Sequence, residues 1–165
     1  MLKLMKEVKI MYVKDFMITD VISGKRTDSV KDVIKLFVAK KIGGVPIVDE
    51  EGKLYGIVTD GDLLRALKPS DRRFQDYFSF AIYLGEMELK NQLSEVVNRP
   101  IMKIARTAGI VTVHPDDDMK KVVTLLAKHH FKKLPVVDDT NHVVGVISRG
   151  DAIRNIQQMI LNELE

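Results

Sequence analysis

Apolar and polar positions along the chain follow two periods. From Val30, the apolar residues Val33, Ile34 and Phe37 recur at i, i+3, i+4 and i+7, the spacing of one helical face. From Met119 the same spacing returns as Val122, Val123 and Leu126. After each helical stretch come two short β-rich runs around a polar turn. The first pair is Pro46–Asp49 and Leu54–Thr59, separated by Glu50-Glu51-Gly52-Lys53; the second is Pro135–Asp138 and Val143–Ser148, separated by Asp139-Thr140-Asn141-His142. A short strand is expected ahead of each helix, near Val21–Ser23 and Ile110–Val113, and a second helix after each hairpin, opening near Asp62 and Asp151. Thr27 or Asp28 is the expected cap of the first helix. Pro115 with Asp116, Asp117 and Asp118 is expected to start its counterpart, where acids suit the positive helix end.

The two stretches are copies of one another. Val45-Pro46-Ile47-Val48-Asp49 aligns with Leu134-Pro135-Val136-Val137-Asp138. Gly56-Ile57-Val58-Thr59-Asp60-Gly61-Asp62 aligns with Gly145-Val146-Ile147-Ser148-Arg149-Gly150-Asp151, and Arg65 falls on Arg154. Each copy reads β-α-β-β-α, so the expected fold class is α/β (α+β), built from two pseudo-symmetric repeats. A repeat of about 50 residues buries too little surface to be stable alone; two are expected to cover each other's sheets, with equivalent loops meeting in clefts. The implied organisation is an N-terminal tail or short helix over 1–12, a first repeat over 13–68, a linker or helical insert over 69–95, a second repeat over 96–160 and a tail over 161–165. The insert carries Phe74, Tyr77, Phe78, Phe80 and Tyr83, and its Gln75–Lys90 stretch is expected to be a helix packed on the core or on a second subunit.

Composition narrows the function. Of 165 residues, 45% are hydrophobic and 30% charged, which suits a folded core with a solvated surface. The net charge of +3 comes from Lys and Arg scattered among acids, with no basic stripe, so nucleic acid is not the expected partner. Without cysteine, disulfides, thiolate catalysis and Cys-based zinc sites are excluded. No apolar run approaches the ~20 residues of a membrane span, and Lys3, Lys6, Glu7 and Lys9 interrupt the N-terminus, so a cytoplasmic protein is expected.

No catalytic constellation emerges. His114, His129, His130 and His142 belong to no H-E-x-x-H pattern, and neither a G-x-S-x-G elbow nor a G-x-x-x-x-G-K-[ST] loop is present. Two features remain, each present twice. Thr59-Asp60-Gly61-Asp62 and Ser148-Arg149-Gly150-Asp151 each end a strand and open a helix. A hydroxyl followed three residues later by an acid is a capping arrangement. The same position can receive a phosphate at the helix N-terminus, and its carboxylate can accept from both hydroxyls of a ribose. Ahead of each hairpin stand Ile42-Gly43-Gly44-Val45-Pro46 and Phe131-Lys132-Lys133-Leu134-Pro135. Glycines let a planar ligand approach the backbone and lysines supply charge for a phosphate; the plainer readings are a turn entering a strand and a solvated charge pair.

In both copies, the apolar-Pro-apolar-Val-Asp strand entry and the Gly-apolar-apolar-[Thr/Ser]-x-x-Asp ending resemble a tandem pair of cystathionine-β-synthase-type (CBS) domains, the Bateman module. Val13-Lys14-Asp15-Phe16-Met17 and Ile101-Met102 look like the usual starts of such domains. The resemblance implies a non-catalytic regulatory module that holds an adenosine ligand in clefts between the repeats, AMP first, with ADP or ATP as variants. The nucleotide would be a regulatory ligand; no cofactor or metal is required. Asp62 and Asp151 would hold the ribose with Thr59 and Ser148. Backbone at Ile42, Gly43, Gly44 and Val45, and at Phe131, Lys132, Lys133 and Leu134, would line the base with Ile22, Ser23, Thr112 and Val113. Phosphates would meet His130, Lys132, Lys133 and Arg149. The further implications are a homodimer, a protein target not named by the chain, and no membrane partner. The alternatives are a structural or dimerisation module with empty clefts, or a sensor of S-adenosylmethionine or cyclic di-AMP. The first copy departs from the pattern with Gly24-Lys25-Arg26-Thr27 where the second has Val113-His114-Pro115-Asp116, and with Asp60 where the second has Arg149. An acid beside a phosphate is unfavourable, so the Ser148/Asp151 cleft is expected to be the better one for phosphates.

Overall fold

The computed structural model describes residues 10–67, 86–129 and 132–164. They form two compact units whose boundaries cut across the repeats. One unit takes Ile22–Glu51 and Tyr55–Ile110; the other takes Met1–Val21, Gly52–Leu54 and Val111–Glu165.

In the unit of the first repeat, β1 (Gly24–Lys25), β2 (Gly44–Val48) and β3 (Leu54–Thr59) form a sheet in the order β1-β2-β3. β1 runs parallel to β2, with Gly24 opposite Ile47. The expected first strand at Val21–Ser23 is therefore displaced to Gly24–Lys25, where the chain pairs with Ile47 and Val48 of β2. A Cβ at position 24 would stand 2.7 Å from Ile47 Cδ1, the end of a flexible side chain, so a larger residue there would make Ile47 shift. Helix α1 (Val30–Lys40) joins β1 to β2, and α2 (Asp60–Leu67) follows β3 directly. Ser29, not Thr27 or Asp28, caps α1: its Oγ accepts from Asp32 N (3.2 Å), while the Asp32 carboxylate accepts from Ser29 N (3.0 Å). Asp28 is occupied elsewhere, its carboxylate accepting from Lys25 N at 2.8 Å. Helix α3 (Glu86–Val97) packs on α1 and α2; the rest of the Gln75–Lys90 reading lies outside the described residues. Val30, Val33, Val45, Ile47, Val58, Val96 and Ile101 make the core.

In the unit of the second repeat, α4 (Met119–Lys128) precedes the hairpin of β4 (Lys133–Val137) and β5 (Val143–Ser148), and α5 (Arg149–Leu164) follows. The hairpin is antiparallel, Lys133 opposite Ser148, with an irregularity at Val136/Val137. The strand expected at Ile110–Val113 reduces to one parallel bridge, Val113 to Val136. Helix α4 starts later than Pro115, at the cap Asp118, whose carboxylate accepts from Lys120 N (2.8 Å). The preceding acids serve the turn: Asp117 accepts from His114 N (2.8 Å) and Asp116 pairs with Lys14 (2.7 Å). Val123, which shares the apolar helical spacing, is 40% exposed; the buried face of α4 is Met119, Val122 and Leu126. Both C-terminal helices begin two residues ahead of the expected Asp62 and Asp151, since strand and helix join without a loop.

The lead-in segments belong to unexpected hosts. Residues 1–9 lie outside the described part of the expected N-terminal element. From Tyr12 on, the chain ahead of the first repeat packs in the unit of the second: Tyr12 bridges Asp118, and Ile18 bridges Val146. Reciprocally, Pro100 bridges Ser29 and Arg106 bridges Ile57. Val13 and Ile101, at the same point of the two lead-ins, are both fully buried, each in its host's core.

Candidate functional site

Each repeat brings its two sequence features together by the same backbone bond. Asp60 N donates to Gly43 O (2.9 Å), and Arg149 N donates to Lys132 O (2.8 Å). The first residue of each helix is thus tied to the turn that enters the preceding hairpin.

In the first repeat, the Asp62 carboxylate accepts from Thr59 N (2.8 Å) and from the Thr59 hydroxyl (2.7 Å); Thr59 Oγ1 in turn accepts from Asp62 N (3.4 Å). The other carboxylate oxygen pairs with Arg65. Asp62 is 7% exposed, the one buried charged residue among those described. The second repeat reproduces the side-chain bonds of this set. The Ser148 hydroxyl donates to Asp151 Oδ2, Asp151 N donates to Ser148 Oγ (3.1 Å), and Arg154 pairs with Oδ1. The Ser148 hydroxyl, joined by Arg154, holds the Asp151 carboxyl below the usual carboxylate range against the opposing effect of burial. Both aspartates therefore share the hydroxyl bonds of the cap and its arginine, and Asp62 accepts from the Thr59 backbone as well. Each keeps lone pairs beyond those bonds, because a carboxylate offers about four acceptor sites.

The surroundings of the two helix starts differ in charge. In the first repeat the turn is Gly43-Gly44. Asp60 bends over it: its Oδ1 accepts from Gly61 N (2.7 Å), and its Oδ2 lies 3.0 Å from where a Cβ on Gly43 would stand. In the second repeat the turn supplies Lys132, exposed, and Lys133, half-buried at the start of β4. Burial pushes the Lys133 ammonium below the ordinary lysine value, and the Asp151 carboxylate partly restores it. Arg149, expected at a phosphate, directs its guanidinium to the carbonyls of Leu126 and His129, both at 2.7 Å, and so closes the C-terminus of α4.

Val45, Val113 and Leu134 are at most 1% exposed, so what they offer a ligand is backbone. Gly44 is buried, while Ile22, Ser23, Ile42 and Thr112 are half-buried beside them. His130 and Phe131 lie outside the described residues. Arg65 and Arg154 escaped assignment to the site, although they occupy the same position in both copies, one helical turn beyond the acids they pair with. Among the described residues no cluster of metal-ligating side chains occurs, and no helix is long and apolar enough to cross a membrane.

The CBS domain family matches this chain twice, over residues 13–69 and 93–158. Uncharacterized protein MJ1426 of Methanocaldococcus jannaschii is 30% identical over 153 residues, covering 88% of this chain and 90% of its own length. The chloroplastic CBS domain-containing protein CBSX2 of Arabidopsis thaliana is 29% identical over 138 residues, 82% of this chain but 58% of its own length. The crystal structure of CBSX2 in complex with AMP has a TM-score of 0.68 at 26% identity, covering 90% of this chain and 97% of that one. The CBS domain pair of protein MJ0100, in complex with 5′-methylthioadenosine and S-adenosyl-L-methionine, also scores 0.68, at 27% identity over 91% of this chain and 98% of that one. Relatives that carry enzyme names are spanned over only 22% to 24% of their length.

Proposed function

The chain belongs to the CBS domain family as a tandem pair, and from that premise we propose that it is a non-catalytic sensor of an adenine nucleotide, AMP first, that reports occupancy to a protein target. The observation that carries this reading is the doubled hydroxyl–carboxylate pair, Thr59 with Asp62 and Ser148 with Asp151, each bonded at the start of a helix whose first residue is tied to the turn before the hairpin. One carboxylate so placed can accept from a ribose diol while the adjoining turn offers backbone to a base. The complex of CBSX2 with AMP supports the choice of nucleotide. The pair from MJ0100 supports a second reading, an S-adenosylmethionine or methylthioadenosine sensor. Signalling needs a ligand that binds two states of the protein unequally, because a ligand with equal affinity for both shifts neither.

A homodimer fits the exposed apolar side chains that both repeats carry at the same position: Leu64 on α2 (69% exposed) and Ile153 on α5 (46%). In the second repeat Ile153 borders a groove of about 180 Å³ with Val123, Ala127 and Ile156. Sedimentation equilibrium of Ile153→Glu should give a monomer; an unchanged dimer would remove this face from the interface.

Thermal unfolding in the presence of AMP, ADP, ATP, S-adenosylmethionine and cyclic di-AMP tests the sensor. A ligand at about 100 times its dissociation constant adds roughly 2.7 kcal/mol to the folded state. The expected result is a shift with an adenine ligand that Asp62→Asn or Asp151→Asn abolishes, each measured against that variant's own unliganded transition. Protein freed of bound nucleotide that responds to none of them would be a structural module.

A further inference from the structure

We propose that residues 1–9 fold back as a short amphipathic helix into the apolar groove between α4 and α5, and that they compete there with a second copy of the chain. The docking stands on its own; the competition rests on the homodimer reading above.

The groove holds about 180 Å³, between Val123, Leu126 and Ala127 of α4 and Ala152, Ile153 and Ile156 of α5. An exchange between the repeats helps to open it. Ala127 stands where the first repeat has Val38, a side chain 74% exposed. The smaller residue leaves a hollow on the flank of α4, beside the half-exposed Val123 and Ile153. Apolar surface in contact with water is stabilised by an apolar cover.

The chain delivers an occupant to this place. Met11 O accepts from Met119 N, the first residue of α4, at 2.9 Å, and Tyr12 bridges Asp118. Met11 packs against the core of the second repeat, whereas Ile10 is 57% exposed, so the chain comes to the surface at the start of α4. In the stretch that precedes Ile10, Met1, Leu4, Met5 and Val8 recur at i, i+3, i+4 and i+7, the spacing of one helical face. Lys3, Lys6 and Glu7 fall on the opposite face, which would stay in solvent. A helix over 1–9 is about 13 Å long, and α4 runs about 12 Å from Met119 to Ala127. Laid antiparallel to α4, the segment brings Val8 level with Val123 and Leu4 level with Ala127. So short a helix is marginal alone in water, and the groove supplies the apolar partner that it lacks. The tether favours this occupant, because a short link raises its effective concentration to the order of mM. A second copy at lower concentration therefore meets a groove already covered.

The chain contains no cysteine, so introduced pairs report proximity without background. Leu4→Cys with Ala127→Cys should oxidise within one chain at least tenfold faster than Glu7→Cys with Ala127→Cys, which puts the thiol on the opposite face. Equal rates for both pairs would overturn the docking. Disulfides that form only between chains would overturn it too, and would give the groove to a second copy. Sedimentation equilibrium tests the competition in the full-length chain. Met5→Glu with Val8→Glu should tighten the dimer at least tenfold, and Lys6→Glu, on the outward face, should leave it unchanged. A dimer unaffected by the first variant, or tightened equally by both, would overturn the competition. If no protein dimerises, the competition falls with the homodimer reading, while the oxidation rates still decide the docking.

Discussion

The two repeats keep one scaffold and differ most sharply in charge, at the start of the helix that follows each hairpin. At the same positions the first repeat buries Val30, Val33, Val45, Ile47 and Val58, and the second buries Met119, Val122, Leu134, Val136 and Ile147. Sizes are exchanged rather than preserved: Val45 and Ile47 in one β-strand become Leu134 and Val136 in the other. The hydroxyl–carboxylate cap, its arginine and the backbone tie to the turn are duplicated. Against that background the residue that opens the helix changes sign, Asp60 in one repeat and Arg149 in the other. Packing constrains volume, so core substitutions come in compensating sets. A half-exposed helix start has no such constraint, and its charge is free to change.

The comparison of cores can be broken most severely. Ile47→Ala and Leu134→Ala remove the larger member of each exchanged pair from sites no more than 1% exposed. Each should cost about 2–5 kcal/mol, read as a lowered denaturant midpoint at unchanged slope. A loss below ~1 kcal/mol in either repeat would mean that its core is not close-packed at that point.

Next come the caps, where the two repeats should respond alike. Thr59→Ala and Ser148→Ala each delete a hydroxyl that accepts from a helix amide and donates to the paired acid, at an expected cost of about 1 kcal/mol. A cost confined to one repeat would show that only that hydroxyl acts as a cap.

The smallest effect, and the one that sharpens the contrast, is pH dependence. The Asp151 carboxyl lies below its unfolded value, chiefly through the Ser148 hydroxyl and then Arg154. Its contribution is present above the unfolded value of about 3.9 and is lost as pH falls through the lower folded value. Urea titrations between pH 6 and about 3 should therefore show less acid destabilisation in Ser148→Ala, measured against that variant's own neutral stability, than in the wild type. An identical acid limb would mean that the Ser148 bond does not stabilise the ionised form. Lys133 acts at the other end. Its folded value is depressed by burial, so stability should rise as pH increases from that value toward the unfolded ~10.4, and Lys133→Met should abolish the rise.

Much of this was legible in the order of residues. The helix period located α1 and α4, and the strands Leu54–Thr59 and Val143–Ser148 stand where alternation and turn residues put them. The doubled Thr/Ser-x-x-Asp marks both caps in the sequence, because a cap is satisfied within four residues and leaves a local trace. The first strand stands at Gly24–Lys25 and not at Val21–Ser23, because it is defined by pairing with Ile47 and Val48 of β2, residues distant in the chain. Thr27 and Asp28 were good capping residues in isolation, but the turn had claimed Asp28, and Ser29 with Asp32 closed the box.

The sequence by itself determined the repeat, the order of elements, the polar caps and the difference in charge between the two helix starts. All of these depend on neighbours along the chain or on comparing one copy with the other. Tertiary structure alone decided which unit each lead-in joins, that Val123 stays at the surface, and that Arg149 turns to the carbonyls of Leu126 and His129. Two copies of one scaffold present nearly the same edge and the same apolar socket, so a lead-in read locally suits either host. The choice is made by three-dimensional packing and chain connection, which no local pattern of residues records.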